Sequence, residues 1–119
     1  MSKKVYLQTI DKKYKTVINE VKLIIKSIIN DPFEITLYGS VARGEETSES
    51  DLDLLVLIDG TVDYPLKKLI REYVYNVELE KDVVISLFIE SKDIWNTKYA
   101  SLSLLYQNIQ KEGIIFNNE

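Results

Sequence analysis

One short stretch does most to limit what this chain of 119 residues can fold into. Between Asp51 and Asp59 the sequence LDLLVLI is apolar except at Asp53. An apolar run of this length, closed by an Asp-Gly turn signal, predicts a buried β-strand. We therefore expect helices elsewhere in the chain to pack against this strand.

The spacing of apolar residues and the turn signals predict the other elements. Apolar residues from Val5 to Ile29 recur at three- and four-residue steps, as in an amphipathic helix, with Tyr14 facing the core. The same spacing marks a second helix from Tyr64 to Glu78, with Tyr73 facing the core. Strands are predicted at 34–38, 51–59 and 83–89, and a short terminal strand or a packed tail at 114–116. A short helix or turn is predicted at 41–46, a capped turn at 91–95 and a last helix at 101–112. These elements predict an α+β fold, in which a small mixed β-sheet has helices packed on one face and leaves the other face partly open. We expect the carboxylates of Asp51 and Asp53 on the open face.

Missing residue types exclude several kinds of chemistry. The chain contains no cysteine and no histidine. Disulfides and thiolate metal sites are therefore excluded, and the usual base of serine and cysteine hydrolases is absent. No apolar run of about 18 residues is present that would span a membrane, and the first residues do not form an apolar signal core. We expect a single domain over residues 1–119, located in the cytoplasm and not bound to a membrane.

The charge distribution argues against general nucleic-acid binding. The net charge is −4, although the first 26 residues hold seven lysines against Asp11 and Glu20. General binding to nucleic acid requires many cations facing phosphates, which an acidic chain with one basic helix does not offer. A solvated lysine face is the preferred interpretation. The alternative, a nucleic-acid-binding domain built on this helix, predicts an affinity that falls steeply with salt.

Two carboxylates at the start of the buried strand form an informative pair. Side chains in a strand alternate between faces, so Asp51 and Asp53 project from the same face, roughly 7 Å apart along the backbone. Two like charges held together favour a bound cation, and oxygen ligands suit Mg²⁺ or Mn²⁺ better than zinc. By itself the pair is also compatible with two solvated carboxylates at a strand entrance. With a cation bound, it would form a metal site open to substrate phosphates.

A Gly-Ser turn after the preceding strand supplies the other half of such a site. Gly39 lets the backbone approach a phosphate closely, and the amide hydrogens and the Ser40 hydroxyl can point at the phosphate. Arg43 is placed to add a cationic contact. Alone, the turn could be an ordinary tight turn. In combination with the Asp-x-Asp strand that follows, it favours a site for a metal-bound phosphate.

This order of motifs resembles the minimal nucleotidyltransferases of the DNA polymerase β-like superfamily. The signature of that family is Gly-Ser followed, after a short helix and a polar loop, by Asp-x-Asp, and here it reads GSVARGEETSESDLDLLV. The resemblance implies the fold of that superfamily and transfer of a nucleoside monophosphate, most simply AMP, from a magnesium nucleoside triphosphate to an acceptor hydroxyl. It also implies that Gly39 and Ser40 hold the triphosphate and that Asp51 and Asp53 bind the metals.

The same resemblance implies a third carboxylate on a neighbouring strand. In the family this group helps to bind the catalytic metal and accepts the proton of the acceptor hydroxyl. Asp82 is the first candidate, because it precedes the strand predicted at 83–89 as Asp51 precedes its own strand. Glu80 is the second candidate, and a helix-terminal turn is the alternative interpretation of Asp82.

A chain of this length has no room for a further acceptor-binding domain, so the acceptor is expected on a separate molecule. Minimal nucleotidyltransferases are often paired with a helical HEPN-type protein, and the resemblance implies that some are antitoxins that adenylylate such a partner. A homo-oligomer is a further possibility. The alternative function is a catalytically silent module of the same fold, whose acidic face docks a partner protein. Metal and nucleotide binding distinguish the two.

Overall fold

The computed structural model describes residues 10–116, without the side chain of Tyr99. In chain order its elements are α1 (Lys12–Ile28), β1 (Phe33–Tyr38), α2 (Gly39–Arg43), β2 (Leu52–Ile58), α3 (Tyr64–Lys81), β3 (Ile85–Ser91), α4 (Lys92–Trp95), α5 (Lys98–Ser101), α6 (Leu104–Glu112) and β4 (Ile114–Phe116). The predicted order of helices and strands is present over this range, with one exception near the C-terminus. The last helix begins at Leu104 and not at 101, because Ser103 caps it by accepting a hydrogen bond from the amide of Tyr106, and the separate helix α5 precedes it.

The first helix begins later than its apolar spacing suggests. α1 starts after Asp11, whose carboxylate accepts a hydrogen bond of 2.8 Å from the amide of Lys13 and so caps the helix. The first residues of the predicted helix, 5–9, lie outside the described residues.

The second long helix runs further than predicted and shortens the strand after it. α3 continues to Lys81 and ends through Asp82, which has a left-handed backbone with φ 52°. β3 therefore begins at Ile85, two positions after Val83, where the strand was predicted to start.

The four strands form one mixed sheet in the order β3-β2-β1-β4. The two central strands are β2 and β1. β1 pairs antiparallel with β2 and with β4, while β2 and β3 run parallel. The predicted α+β fold with a small mixed sheet is confirmed. β3 and β4 are its edge strands.

The main core lies on the face of the sheet covered by α1 and α3. Alternate residues of β2 point into it and are fully buried, namely Leu52, Leu54, Val56 and Ile58. Tyr14 is buried there as predicted. The prediction for Tyr73 is wrong, because it is 52% exposed and lies beside the stripe of Ile70, Val74 and Val77 with which α3 contacts the core.

A second, smaller core lies on the opposite face. Leu55 and Leu57 of β2 pack there against Trp95 of α4 and Ile109 of α6. This face is therefore covered by the C-terminal helices over one half of β2 and left accessible over the other half, where Asp51 and Asp53 lie. No helix within residues 10–116 is both long and apolar enough to cross a membrane.

Candidate active site

The Gly-Ser turn packs directly on one of the two strand carboxylates. In the β1–β2 ladder Tyr38 pairs with Asp53, so the next residue, Gly39, lies beside the Asp53 side chain. Gly39 has φ 78°, and a Cβ at this position would overlap the Oδ2 atom of Asp53. Both the backbone conformation and the close approach therefore require glycine.

The structure brings Asp51 and Asp53 to the same face of the sheet, as predicted. Asp51 is exposed, whereas Asp53 is half-buried at the start of β2. Burial raises the pKa of Asp53, and the neighbouring Asp51 carboxylate raises it further. A hydrogen bond from the Ser86 side chain lowers the pKa of Asp53, as does the Arg43 guanidinium, without cancelling the increase.

A bound cation would relieve this unfavourable concentration of negative charge. Two carboxylates on one accessible face are hard oxygen donors of the kind that Mg²⁺ binds while keeping other positions for water and phosphate. The residues present therefore fit a divalent cation held by Asp51 and Asp53.

The polar loop before β2 forms a hydrogen-bonded turn just before Asp51. Its ends are joined by a hydrogen bond of 2.9 Å from the amide of Thr47 to the hydroxyl of Ser50, and by one of 3.1 Å from the amide of Ser50 to the carbonyl of Thr47. This closed turn delivers the chain to β2 immediately before Asp51.

The structure does not place Asp82 with the pair. Because β2 and β3 are parallel, Asp53 pairs with Ser86, four positions after Asp82. Asp82 instead lines a groove of about 380 Å³ together with Lys13 and Ser50. Among residues 10–116, no three acidic side chains are grouped closely enough to hold a metal ion. The role of Asp82 as third carboxylate stays a prediction, as does that of Glu80, and the position opposite Asp53 belongs to Ser86.

A carboxylate that the sequence analysis did not select lies at the Gly-Ser turn. The amide of Gly39 donates a hydrogen bond of 2.6 Å to Oε2 of Glu112, at the end of α6. Arg43 donates from one guanidinium nitrogen to both Glu112 oxygens at 3.1 Å, and from its Nε to Glu45 at 2.8 Å. Ser40 is half-buried in the first turn of α2. The arrangement shows that the Gly39 amide and Arg43 together bind a carboxylate.

Tyr38 closes the site on the side of the second core. It packs against the cluster of Leu55, Leu57, Trp95 and Ile109. Burial raises the pKa of its phenol, and the carboxylates of Asp53 and Glu112 raise it further. Tyr38 is therefore a neutral wall of the site at ordinary pH.

Comparison with known proteins shows which family and which proteins this chain resembles. Residues 18–116 match the family of the nucleotidyltransferase domain. Three proteins of Methanocaldococcus jannaschii, all provisionally named protein adenylyltransferases, are similar in sequence. One is 35% identical over 67% of this chain and 73% of its own length. Another is 34% identical over 73% of this chain and 90% of its own length.

Two solved structures share the fold at lower identity. One is a toxin-antitoxin with AMP-PNP, with a TM-score of 0.59 and 19% identity over 85% of this chain and 73% of that chain. The other is a mutant of the toxin-antitoxin MntA-HpeT, with a TM-score of 0.57 and 20% identity over 85% of this chain and 72% of that chain. These likenesses establish a common fold.

Proposed function

The chain belongs to the nucleotidyltransferase domain family, and on that premise we propose that it transfers a nucleoside monophosphate from a magnesium nucleoside triphosphate to a hydroxyl of a separate acceptor. The observation that carries the proposal is the packing of Gly39 on Asp53, because it joins an anion-binding backbone amide to a carboxylate suited to a cation. The relatives named as protein adenylyltransferases favour AMP as the transferred group and a protein as the acceptor.

Each residue of the site has a distinct part in this proposal. Asp51 and Asp53 hold the divalent cation, while the Gly39 amide, the Ser40 hydroxyl and Arg43 contact the triphosphate. The cation, when bound, neutralises charge on the phosphates as the reaction proceeds. The acceptor oxygen forms a bond to the α-phosphorus, and the bond from that phosphorus to the pyrophosphate oxygen breaks.

The acceptor hydroxyl must also lose a proton. Asp82 remains the candidate from sequence for this step, and in this proposal the acceptor approaches through the groove that Asp82 and Ser50 line. Asp82→Asn should then reduce transfer more than it weakens nucleotide binding.

We extend the proposal to the molecular setting. A helical protein of the HEPN type is the proposed acceptor, and the fold shared with toxin-antitoxin structures supports a partner of this kind. We place the protein in the cytoplasm as one domain of residues 1–119, with nucleic acid not required for its activity. Purification from the native host followed by mass spectrometry of bound proteins tests the partner and any self-association.

The experiment that tests the proposed function combines calorimetry with intact-mass spectrometry. The parent should bind MgATP and add the mass of AMP to a co-purifying protein, whereas Asp53→Asn should do neither. Asp59→Asn is the matched control, because Asp59 lies beyond the opposite end of the same strand. Binding and transfer by Asp53→Asn at the parent level would contradict the proposed site.

One observation favours the second candidate, a catalytically silent binding module. Ser86 stands opposite Asp53, and the described part of the chain contains no cluster of three metal-binding side chains. This module would bind its partner protein without transferring a nucleotide. A parent protein that binds the partner and leaves its mass unchanged with every triphosphate would establish this alternative.

A further inference from the structure

The anion-binding groups of the proposed nucleotide site already bind an anion from the same chain. We propose that Glu112 is an internal competitor for the triphosphate, so that phosphate oxygens and the Glu112 carboxylate exchange at the Gly39 amide and the Arg43 guanidinium. This inference rests on the proposed function. It goes further by assigning control of nucleotide affinity to a residue outside the Gly-Ser and Asp-x-Asp motifs.

The contacts of Glu112 use the donors that a phosphate would need. Its Oε2 accepts the Gly39 amide hydrogen at 2.6 Å, and both its oxygens lie 3.1 Å from a guanidinium nitrogen of Arg43. A carboxylate and a phosphate make the same charge-assisted hydrogen bonds to these groups. Because a single N–H cannot serve both anions at full strength, the triphosphate must displace Glu112 to reach the Gly39 backbone.

The position of Glu112 is set by strand pairing. β4 pairs with β1 in an antiparallel register that matches Leu37 with Ile114, and continuing this register by two positions sets Gly39 opposite Glu112. Gly113 lets the chain pass close to its neighbours here, since a Cβ on it would lie 2.8 Å from the Thr36 side chain and 2.6 Å from the carbonyl of Ile109. The backbone of Glu112 is thus held beside the site whether or not its side chain is bound.

Release of the side chain therefore needs only a change of rotamer. The Glu112 side chain is 20% exposed, so it has a path towards solvent. In its bound position it adds negative charge near Asp53 and Tyr38, and it raises the pKa of both. A metal-bound triphosphate would bring its own cation to this acidic cluster, whereas Glu112 does not.

A variant that lacks the negative charge of Glu112 distinguishes competition with the triphosphate from a purely structural role of this residue. Glu112→Gln keeps the length and one hydrogen-bond acceptor for the Gly39 amide but removes the charge that holds Arg43. Glu45→Gln is the matched control, because it removes the other carboxylate bound to Arg43, at 2.8 Å, without touching Gly39. Isothermal titration with magnesium inorganic triphosphate and with MgATP measures the affinity of both variants and the parent.

We expect Glu112→Gln to bind magnesium triphosphate about three- to tenfold more tightly than the parent. Glu45→Gln should bind it with an affinity within about twofold of the parent. An affinity of Glu112→Gln equal to or weaker than that of the parent would overturn the inference while leaving the proposed function intact. Absence of binding to all three proteins would overturn both.

A second measurement uses the parent protein and does not depend on how the variant folds. In isotopically labelled parent protein, magnesium triphosphate should move both the amide resonance of Gly39 and the side-chain carboxyl resonance of Glu112. Movement of the Gly39 resonance with an unchanged Glu112 resonance would overturn the exchange. If neither moves while MgATP binds, the triphosphate occupies another place and the inference is also overturned.

Discussion

The seven residues of β2 alternate between two faces that differ in composition. On the face towards α1 and α3, every alternate side chain from Leu52 to Ile58 is apolar and fully buried. On the opposite face, Leu55 and Leu57 are also buried, whereas Asp53 is only half-buried and Asp51 just before the strand is exposed. One face is therefore uniform, and the other changes from polar to apolar along its length.

The difference shows how a small domain can hold a charged site without losing its core. Apolar burial on the first face stabilises the strand over its whole length. On the second face only Leu55 and Leu57 are buried, against Trp95 and Ile109. The start of the strand on this face carries carboxylates instead. The core face holds Asp53 in a half-buried position, where burial raises the pKa of its carboxylate and the Asp51 charge raises it further.

The largest effect is expected on the uniform face. Leu54 of β2 is fully buried in the main core, on the face of the sheet covered by α1 and α3. Leu54→Ala removes this packing and leaves a cavity, so it should lower the free energy of unfolding by about 3–5 kcal/mol. Urea unfolding followed by circular dichroism measures this. A loss under about 1 kcal/mol would mean that the first face is not the main source of stability.

The next largest effect is expected at Gly39, where the Gly-Ser turn packs on Asp53. Gly39 and Gly44 both have positive φ, 78° and 72°, but only Gly39 has a neighbour that a Cβ would strike. Gly44→Ala should cost about 1–2 kcal/mol from backbone strain alone. Gly39→Ala should cost at least about 1 kcal/mol more and abolish MgATP binding, because it displaces Asp53. Equal losses of stability in the two variants would show that Gly39 does not pack on Asp53 in solution.

A smaller effect of opposite sign is expected from Asp53. Its folded pKa is raised above the unfolded value, so between the two values the folded protein binds more protons and becomes less stable as pH rises. In metal-free buffer at pH 7, Asp53→Asn should therefore raise the melting temperature by about 2–4 °C. The gain should disappear as pH falls below 3.8, the ordinary value for aspartate. A change in melting temperature that does not vary with pH would show that the effect does not come from the charge of Asp53.

The smallest effect is expected from the residue opposite Asp53. Ser86 is exposed, and its hydrogen bond lowers the pKa of Asp53. Ser86→Ala should change stability by no more than about 0.5 kcal/mol, but it should increase the gain obtained from Asp53→Asn. A double-mutant cycle at pH 7 measures this coupling. A coupling of zero would indicate that Ser86 does not support the carboxylate.

Local patterns in the sequence were sufficient to identify the core elements and to select Gly39, Asp51 and Asp53 for the candidate site. The period-two alternation in β2 places Asp51 and Asp53 on one face whichever strands flank it. The helical spacing of α1 predicted the burial of Tyr14, and the Gly-Ser turn was identified from its place between a strand and a helix. Tyr73 was misplaced because a position next to an apolar stripe differs from one within it by a single helical step.

The residues that complete the site depend on strand pairing and therefore on distant parts of the chain. Ser86 faces Asp53 because β2 and β3 pair in a parallel register, and Asp82 is the residue at which α3 ends, four positions before Ser86. Glu112 reaches Gly39 because β4, which follows β3 after three helices, pairs with β1.

The sequence by itself determined the order of the long helices and of the strands, and which side chains share a face of β2. Periodicity is a property of the local backbone, so it can be read without knowing what packs against an element. The tertiary structure alone decided what lies opposite Asp53 and which carboxylate holds Gly39. A register shift of one residue exchanges the faces of a strand, and the register is selected by the burial of the whole sheet and not by the strand itself.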